Sequence, residues 1–585
     1  MKYHKSFLIT LGHNSSVIYF GGNGAKPIGY EEERLSKKKS DSSYPKLAFE
    51  RILSQLNREE IQESNVFISH WFDDFNIENY PSKYFDHDHF NTVVNAYQLD
   101  VIPVINQFTH HDAHAYSTLA FAENYPTKID GKIHHIVVDG FGNNQEVISI
   151  YEQINGVQTK LNPIKKVYGY GNSLGLLYQY ATSFTGMKEN QDEYKFLGYE
   201  SNIKNVLSED KIESLQMRAY NESMRFMKIC LVKNTTKPEI EYEPNIIGID
   251  LDYLDYCKRK IYSEFEDVLR GFKVDATNTD HVRTVIGFYV QAILEQCLLR
   301  IINKYQMKNV FLSGGCFLNV KLNKVILDNI TGHICINPLA GDQGAAIGLF
   351  RKYTNQKFNF DDLCFGVRDK HVITEEDKLI LAEENILAFN TDEAFVNGVV
   401  AMLETNAIVN IIQGDMEFGP RALCNTSTLA KPTIENTQYI NMVNNRNEVM
   451  PMAPVMNRIA AINHLDFDDV NRVIGSNHFM IITHDYRADG GRMGSNGKTE
   501  YFYDKHRGIL HNKPLANGFT CRPQLIIDSS CNISKILNEF GILINTSFNT
   551  HGNPILFSLD DAIQDFRKQR ERDTEDRLVL VILNK

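Results

Sequence analysis

The stretch VRTVIGFYVQAILEQCLLRIINKYQMKNVFLSGG, residues 282–315, decides the fold class. Its first part is apolar at helical spacing: Val282, Val285 and Ile286, Tyr289, Ile293, Cys297 and Ile301 fall on one stripe. The spacing predicts a helix over 282–305. A short strand, Val310–Leu312, then runs into Ser313-Gly314-Gly315. Helix, strand and glycine turn, followed by a second turn at Gly341-Asp342-Gln343-Gly344, complete an α/β unit. Such units place ligands at their strand ends.

Upstream, Ile133–Asp139 is apolar and ends in Asp139-Gly140, and Val147–Tyr151 is expected to pair back on it. Ser6–Leu11, Val17–Phe20, Ile28–Glu32, Val66–Ser69 and Val101–Ile105 read as further strands, with a hairpin turn at Gly21–Gly24. The order suggests two β-rich lobes with a ligand between them. Residues 200–280 read as polar and irregular. Downstream, residues 351–390 are polar and charged, with Asp361-Asp362 and Glu375-Glu376-Asp377. The expected division is a first domain at 1–355, a linker at 356–390 and a second domain at 391–585. The second domain has its own strands at Ala407–Gln413, Met480–Thr483 and Gly541–Ile544.

Composition bounds the function. At 585 residues, with 43% apolar and 23% charged side chains, the chain suits a globular protein of two or more domains. A net charge of -12 argues against a general nucleic-acid surface, though not against a local basic pocket. Nine scattered cysteines without a C-x-x-C pair fit a reduced, cytoplasmic setting. The first residues read as a strand rather than a signal peptide, and no membrane span is expected.

His110 and His114 are four apart, a spacing that puts two imidazoles on one helical face and can grip one metal ion. A surface helix would also satisfy that spacing. Asp139 and Asp342 are the best-placed carboxylates, each at a strand end before glycine, although a lone Asp-Gly is often only a turn. Imidazole and carboxylate together suit Fe(II), Mn(II) or Zn(II). His111 points about 100° away from His110 on a helix and is not expected to ligate. The turns carrying Gly12 and Asn14, Gly140 and Gly142, and Gly314 and Gly315 can bring backbone N–H groups to phosphate and ribose. Asn319 and Asn323 are candidates for ribose or base contacts. In the second half, Arg421 follows a Gly-Pro turn and suits bidentate anion recognition, with Arg446 and Arg522 as further cations. Asn545, Ser547 and Asn549 lie in an amide- and hydroxyl-rich loop that offers neutral donors.

Taken together, HHDAHA, VVDGFG, SLGLLY at 173–178, DEYKFLGY at 192–199, LSGGCFLN, GDQGAAIG, QGDMEFGPRAL and NTSFNTHGNPI, with the early EEERLSKKK, resemble the O-carbamoyltransferases of the nodulation-factor and antibiotic-tailoring type. The motifs occur in family order and span nearly the whole chain. The resemblance implies an α/β protein with an actin/sugar-kinase-like (Kae1-like) first domain and a YrdC-like second domain. It implies that carbamoyl phosphate and ATP give carbamoyladenylate in the second domain. The first domain then passes the carbamoyl group to a hydroxyl of a small sugar, nucleoside-like or natural-product acceptor. By motif match, His110, His114 and Asp342 hold the metal, with Fe(II) first and Mn, Zn or Mg as alternatives. Asp139 is a further ligand or neighbour at the reacting centre, His13 faces the carbamoyl group, and Arg421 holds phosphate. No nucleic-acid or membrane partner is implied, and a homodimer is left open. The alternatives are carbamoyl transfer of the kind that modifies tRNA, and a metal- and nucleotide-binding partner protein with a degenerate second domain.

The chain departs from the family pattern at Asp415, Thr426, Asn444, Met450 and Asn553, mostly where cationic residues are usual. The expectation is therefore an intact metal half and a second half short of positive charge.

Overall fold

The computed structural model describes the chain apart from residues 1–4, 23, 71–79, 83, 103–107, 157, 232–249, 361, 370–372, 447–451, 488–491, 494–498, 501–504, 517 and 585. The first half contains two five-stranded sheets of the same design. In one, Lys5–Thr10 (β1), Ser16–Phe20 (β2), Ile28–Glu31 (β3), Ser64–Ser69 (β4) and Asp100–Val101 (β5) lie in the order β3-β2-β1-β4-β5. In the other, Ile133–Val138 (β6), Glu146–Ile154 (β7), Lys160–Tyr168 (β8), Asn309–Ser313 (β9) and Ile334–Ile336 (β10) lie in the order β10-β9-β6-β7-β8. Each sheet is a three-stranded antiparallel meander extended by two parallel strands beside its first strand. The hairpin turn holding His13 and the turn holding Asp139 therefore occupy equivalent positions, at the ends of β1 and β6. This is the two-lobed arrangement the sequence suggested.

The helix expected from the opening stretch is Thr279–Tyr305, and it is apolar almost all round because it is a core element. Its length and composition would suit a membrane span, yet Ile286, Val290, Ile293, Leu294, Cys297 and Leu298 are buried inside the protein.

Three expectations need correction. Residues 200–280 are not irregular: Glu209–Leu231 and Leu251–Phe272 are long helices. The second buries Tyr253, Cys257, Ile261, Phe265, Val268 and Leu269, and the charges between them hid that stripe in the composition. Met480–Thr483 is not a strand. Ser476–Phe479 forms a 3-10 turn and Met480 is left-handed (φ 52°), while Ile481 and Ile482 are buried in the core of the first half. Residues 356–390 are not a loose linker either. Phe358, Phe360 and Phe365 pack beside Phe20, Phe350 and Phe418, and each buried ring contributes roughly 2–3 kcal/mol. Ile386–Phe389 already belongs to the sheet of the second half, ahead of the boundary expected at 391.

That sheet has seven strands in the order Ile386–Phe389, Leu578–Leu583, Ile408–Ile412, Thr426–Ala430, Ile542–Ser547, Ala453–Asn457 and Gln524–Ile526. It mixes parallel and antiparallel pairs. Phe418, Leu423, Ile474 and Phe479 of this half share one core with Leu8, Phe20, Phe121 and Phe350 of the first.

Candidate functional site

The helix His110–Ala122 begins with a reciprocal cap: Thr109 accepts from the Asp112 N–H, and Asp112 accepts from the Thr109 N–H. This sets the first turn, so His110 and His114 project from one face. Their Nε2 atoms lie 3.1 Å apart. Asp139 comes from the end of β6 and Asp342 from the turn after β10. The Asp139 Oδ2 stands 3.3 Å from both imidazoles, and the Asp342 Oδ1 stands 3.3 Å from His110 and 3.5 Å from His114.

Two nitrogens and two oxygens thus form a compact quartet, all four atoms within 4.8 Å of one another. Ligands bound at about 2.0–2.2 Å in a tetrahedron stand roughly 3.3–3.6 Å apart, so the donors fit a divalent ion. The two imidazoles are buried, the two carboxylates are partly so, and the quartet includes no lysine or arginine. Against the cost of burial, Asp342 and Asp139 push His110 up to about 10. Despite its own burial, Asp342 is drawn down to about 2 by His110 and His114, and Asp139 falls well below the usual carboxylate range.

The surroundings fix the donor atoms. The Gly315 N–H donates to Asp139 Oδ1 (3.1 Å), which leaves Oδ2 for the quartet. Ser313 Oγ lies 3.4 Å from His114 Nδ1, which leaves Nε2 free. His111 turns away as expected. Its Nδ1 meets Ser149 Oγ (2.8 Å), and that hydroxyl donates to Glu146 (2.5 Å).

The glycines act by permitting close approach. A side chain at Gly314 (φ 97°) would strike the Val138 carbonyl, and one at Gly142 would press on His110 and His111. Sequence reasoning missed the role of Gly175, where a Cβ would lie 2.6 Å from the Gly140 nitrogen. The Ser173 hydroxyl donates to the Gly140 carbonyl (2.5 Å), so SLGLLY is the brace behind the Asp139 turn.

Not every candidate reaches the site. Asn319 caps the helix Val320–Asn329 and donates to Gln291, and Asn323 is buried, donating to the carbonyls of Phe317 and Ile481. The N–H donors of both amides are spent on structure, and Asn323 is fully buried, so neither is placed to read a ribose. His13 and Asn14 (φ 59°) lie in the β1–β2 turn beside Gly12, with His13 Nε2 3.3 Å from the Asn190 carbonyl.

The second half holds a different centre. Arg421, Arg446 and Arg522 are largely buried, and no carboxylate among the described residues stands beside any of them. Burial pulls Arg421 down to about 10 and lowers the other two, with Arg421 adding its repulsion to Arg522. A guanidinium does not shed its proton in proteins, so such a trio calls for an anion. The Arg421 Nε has no partner among the described residues, nor do the side-chain oxygens of Asn545 and Asn549. Tyr194, from the first half, is the common neighbour of all three arginines.

Asn545 is scaffold for this trio. Its amide donates to the Ala422 carbonyl (3.0 Å) and to Gln524 (2.6 Å), tying together the two turns that carry Arg421 and Arg522. Ser547 lies in the sheet opposite Ser427, and Asn549 donates to the Asn553 carbonyl.

The departures from the family pattern have their own partners. Asp415 pairs with Lys26 (3.0 Å), Asn444 accepts from Gln569, and Asn553 donates to Asp565. Thr426 is held by Arg368, a buried guanidinium supplied by the 356–390 segment. Met450 lies outside the described residues. The charge lost at these positions leaves Arg421, Arg446 and Arg522, which come from separate loops and share Tyr194 as a neighbour.

Comparison with known proteins adds a lineage. Residues 90–349 match the family model described as carbamoyltransferase N-terminus, and residues 400–580 match carbamoyltransferase C-terminus. An uncharacterised protein of Methanocaldococcus jannaschii is 25% identical over 95% of both chains. The nodulation protein NolO of Bradyrhizobium diazoefficiens is 27% identical over 47% of this chain and 51% of its own. The 3'-hydroxymethylcephem-O-carbamoyltransferase of Amycolatopsis lactamdurans is 25% identical over 43% of this chain and 45% of its own. Among solved structures, T. kodakarensis HypF is 12% identical over 60% of this chain and 48% of that chain, with a TM-score of 0.31; a likeness of that degree carries no argument.

Proposed function

The chain belongs to the carbamoyltransferase family, and we propose that it is an ATP-dependent O-carbamoyltransferase with two chemically distinct centres. In the second half, carbamoyl phosphate, ATP and water give carbamoyladenylate, pyrophosphate and orthophosphate. In the first half, an acceptor hydroxyl attacks the carbamoyl carbon and AMP leaves, giving a carbamate ester. The repeated sheet topology supports the actin/sugar-kinase-type reading of the first half, and the mixed seven-stranded sheet is compatible with the YrdC-like reading of the second.

The observation that carries this reading is the arginine trio without carboxylates. Three partly buried guanidinium groups suit a doubly charged phosphoryl ligand, where charge-assisted hydrogen bonds are strongest. His110, His114, Asp139 and Asp342 would hold a divalent ion, Fe(II) being the first candidate, which supplies a Lewis acid for phosphate and carbonyl oxygens. His13, at the hairpin equivalent to that of Asp139, would face the carbamoyl group. The acceptor is a small hydroxylated molecule.

The test is incubation of the full chain with ATP, radiolabelled carbamoyl phosphate and Fe(II). Labelled carbamoyladenylate and pyrophosphate are expected, and Arg421→Met is expected to abolish both. Absence of labelled adenylate with the metal present would overturn the proposal.

A further inference from the structure

One short segment of the first half reaches both the β1–β2 turn and the second half. The Asn190 carbonyl receives the Ser40 hydroxyl (3.2 Å) and faces His13 Nε2 (3.3 Å). Four residues on, Tyr194 neighbours the arginine trio. Lys195, which is buried, places its Nζ 2.9 Å from His551 Nε2 and 2.8 Å from Asp192 Oδ1. His551 belongs to the loop that follows the strand Ile542–Ser547, and its backbone N–H donates to the Asn444 carbonyl (2.9 Å).

The Lys195–His551 contact has only one chemically sensible form. An ammonium group has protons to give and no lone pair to offer. His551 Nε2 must therefore accept, and the single proton of the imidazole sits on Nδ1. The charged groups around the ring are Lys195, Arg446, Lys39 and Asp192. Burial, together with the three cations, pulls His551 down to about 4 and keeps it from taking a second proton. The result is an Nδ1–H donor on a ring beside Arg446, its tautomer selected by a lysine from the other half of the chain.

We infer that Lys195 is a positioning residue for the anion site of the second half: it holds His551 as an Nδ1–H donor to the phosphoryl group bound by Arg421, Arg446 and Arg522. The inference rests on the reading of that trio as a phosphate site. It also explains why the site needs both halves of the chain, since Tyr194 and Lys195 sit on one helix, Glu193–Tyr199.

The test is calorimetric titration of the full chain with inorganic phosphate. Lys195→Met is expected to weaken binding by about tenfold, the scale of one hydrogen bond to a charged group. His551→Gln, whose amide N–H falls near the Nε2 position, is expected to weaken it similarly. His551→Asn, whose amide overlies Nδ1, is expected to stay within about threefold of the parent. With Asn at 551 there is no tautomer to select, so adding Lys195→Met is expected to change nothing further.

An effect of Lys195→Met below about twofold would overturn the inference, as would an equal loss with Asn at 551, which marks a plain structural clamp. Arg421→Ala separates the two layers. If it abolishes phosphate binding while Lys195→Met does not matter, only the inference falls. If parent and Arg421→Ala bind alike, the reading of the trio falls with it.

Discussion

Arg34 donates to the carbonyl oxygen of Gly419 at 2.6 Å, across the seam between the two halves of the chain. The Gly419 N–H is held in turn by Glu31 (3.0 Å), which also pairs with Arg34 (3.0 Å). Gly419 lies two residues before Arg421. The buried start of the EEERLSKKK segment, Glu31–Arg34, is therefore the clamp that sets the arginine-bearing turn, while Lys37 and Lys38 are exposed. Arg34 and Glu31 are almost fully buried, and Glu33 is a second partner of the guanidinium.

Arg34→Met leaves Glu31 and Glu33 as buried carboxylates without their cation. Breaking a buried pair in this way costs about 3–5 kcal/mol. Urea unfolding is expected to show that loss, together with weaker phosphate binding at the Arg421 site. The Glu31→Gln/Arg34→Met pair is expected to recover part of the stability. A stability within about 0.5 kcal/mol of the parent for Arg34→Met would show the clamp to be idle.

His114→Ala and Asp342→Asn each remove one donor of the quartet. Elemental analysis of the purified variants is expected to show loss of the bound metal, with the helical circular dichroism unchanged. Undiminished metal in either variant would contradict the ligand assignment.

The metal-stripped protein is expected to depend on pH at this quartet. The folded pKa of Asp342 is lowered to about 2, so its contribution exists above the unfolded value of 3.8 and fades as pH falls through the folded one. The folded pKa of His110 is raised to about 10, so its contribution is full below the unfolded value of 6.5 and is lost as pH rises through the folded one. The melting temperature of the stripped protein is thus expected to be highest between about pH 4 and pH 6.5 and to fall towards pH 10. Metal binding displaces the imidazole protons, so reloading is expected to remove the alkaline decline. Identical profiles with and without chelator would speak against the quartet as the metal site.

Gly175→Ala is expected to impair the first half selectively. The added carbon meets backbone, the Gly140 nitrogen at 2.6 Å and the Asp139 carbonyl at 2.7 Å, and neither can swing aside. Metal retention and transfer to acceptor are expected to fall at least tenfold, while exchange of labelled pyrophosphate into ATP, the reaction proposed for the other half, persists. Equal loss of both activities would point to general misfolding instead.

Much of the site was legible because its residues sit where periodicity breaks. His110 and His114 announce themselves by spacing, and Asp139 and Asp342 by following apolar strands and preceding glycine. Arg421 stood out after its Gly-Pro turn. Other residues misled for a physical reason: Asn319 and Asn323 carry groups that could read a nucleotide, but burial gave those groups to a helix cap and two carbonyls. The helix Leu251–Phe272 was missed because a narrow apolar stripe is diluted by the charged faces beside it.

The sequence by itself determined the α/β class, the metal-ligand candidates and the likeness to carbamoyltransferases, since each depends on local pattern or on ordered motifs. Only the tertiary structure decided which charges count. Arg421, Arg446 and Arg522 are about 25 and 76 residues apart along the chain. Their convergence without a carboxylate, the clamp of Arg34 on Gly419 and the contact of Lys195 with His551 all depend on how the two halves dock. Pairing across that seam is a matter of distance in space, and electrostatic energy falls with that distance rather than with separation in sequence.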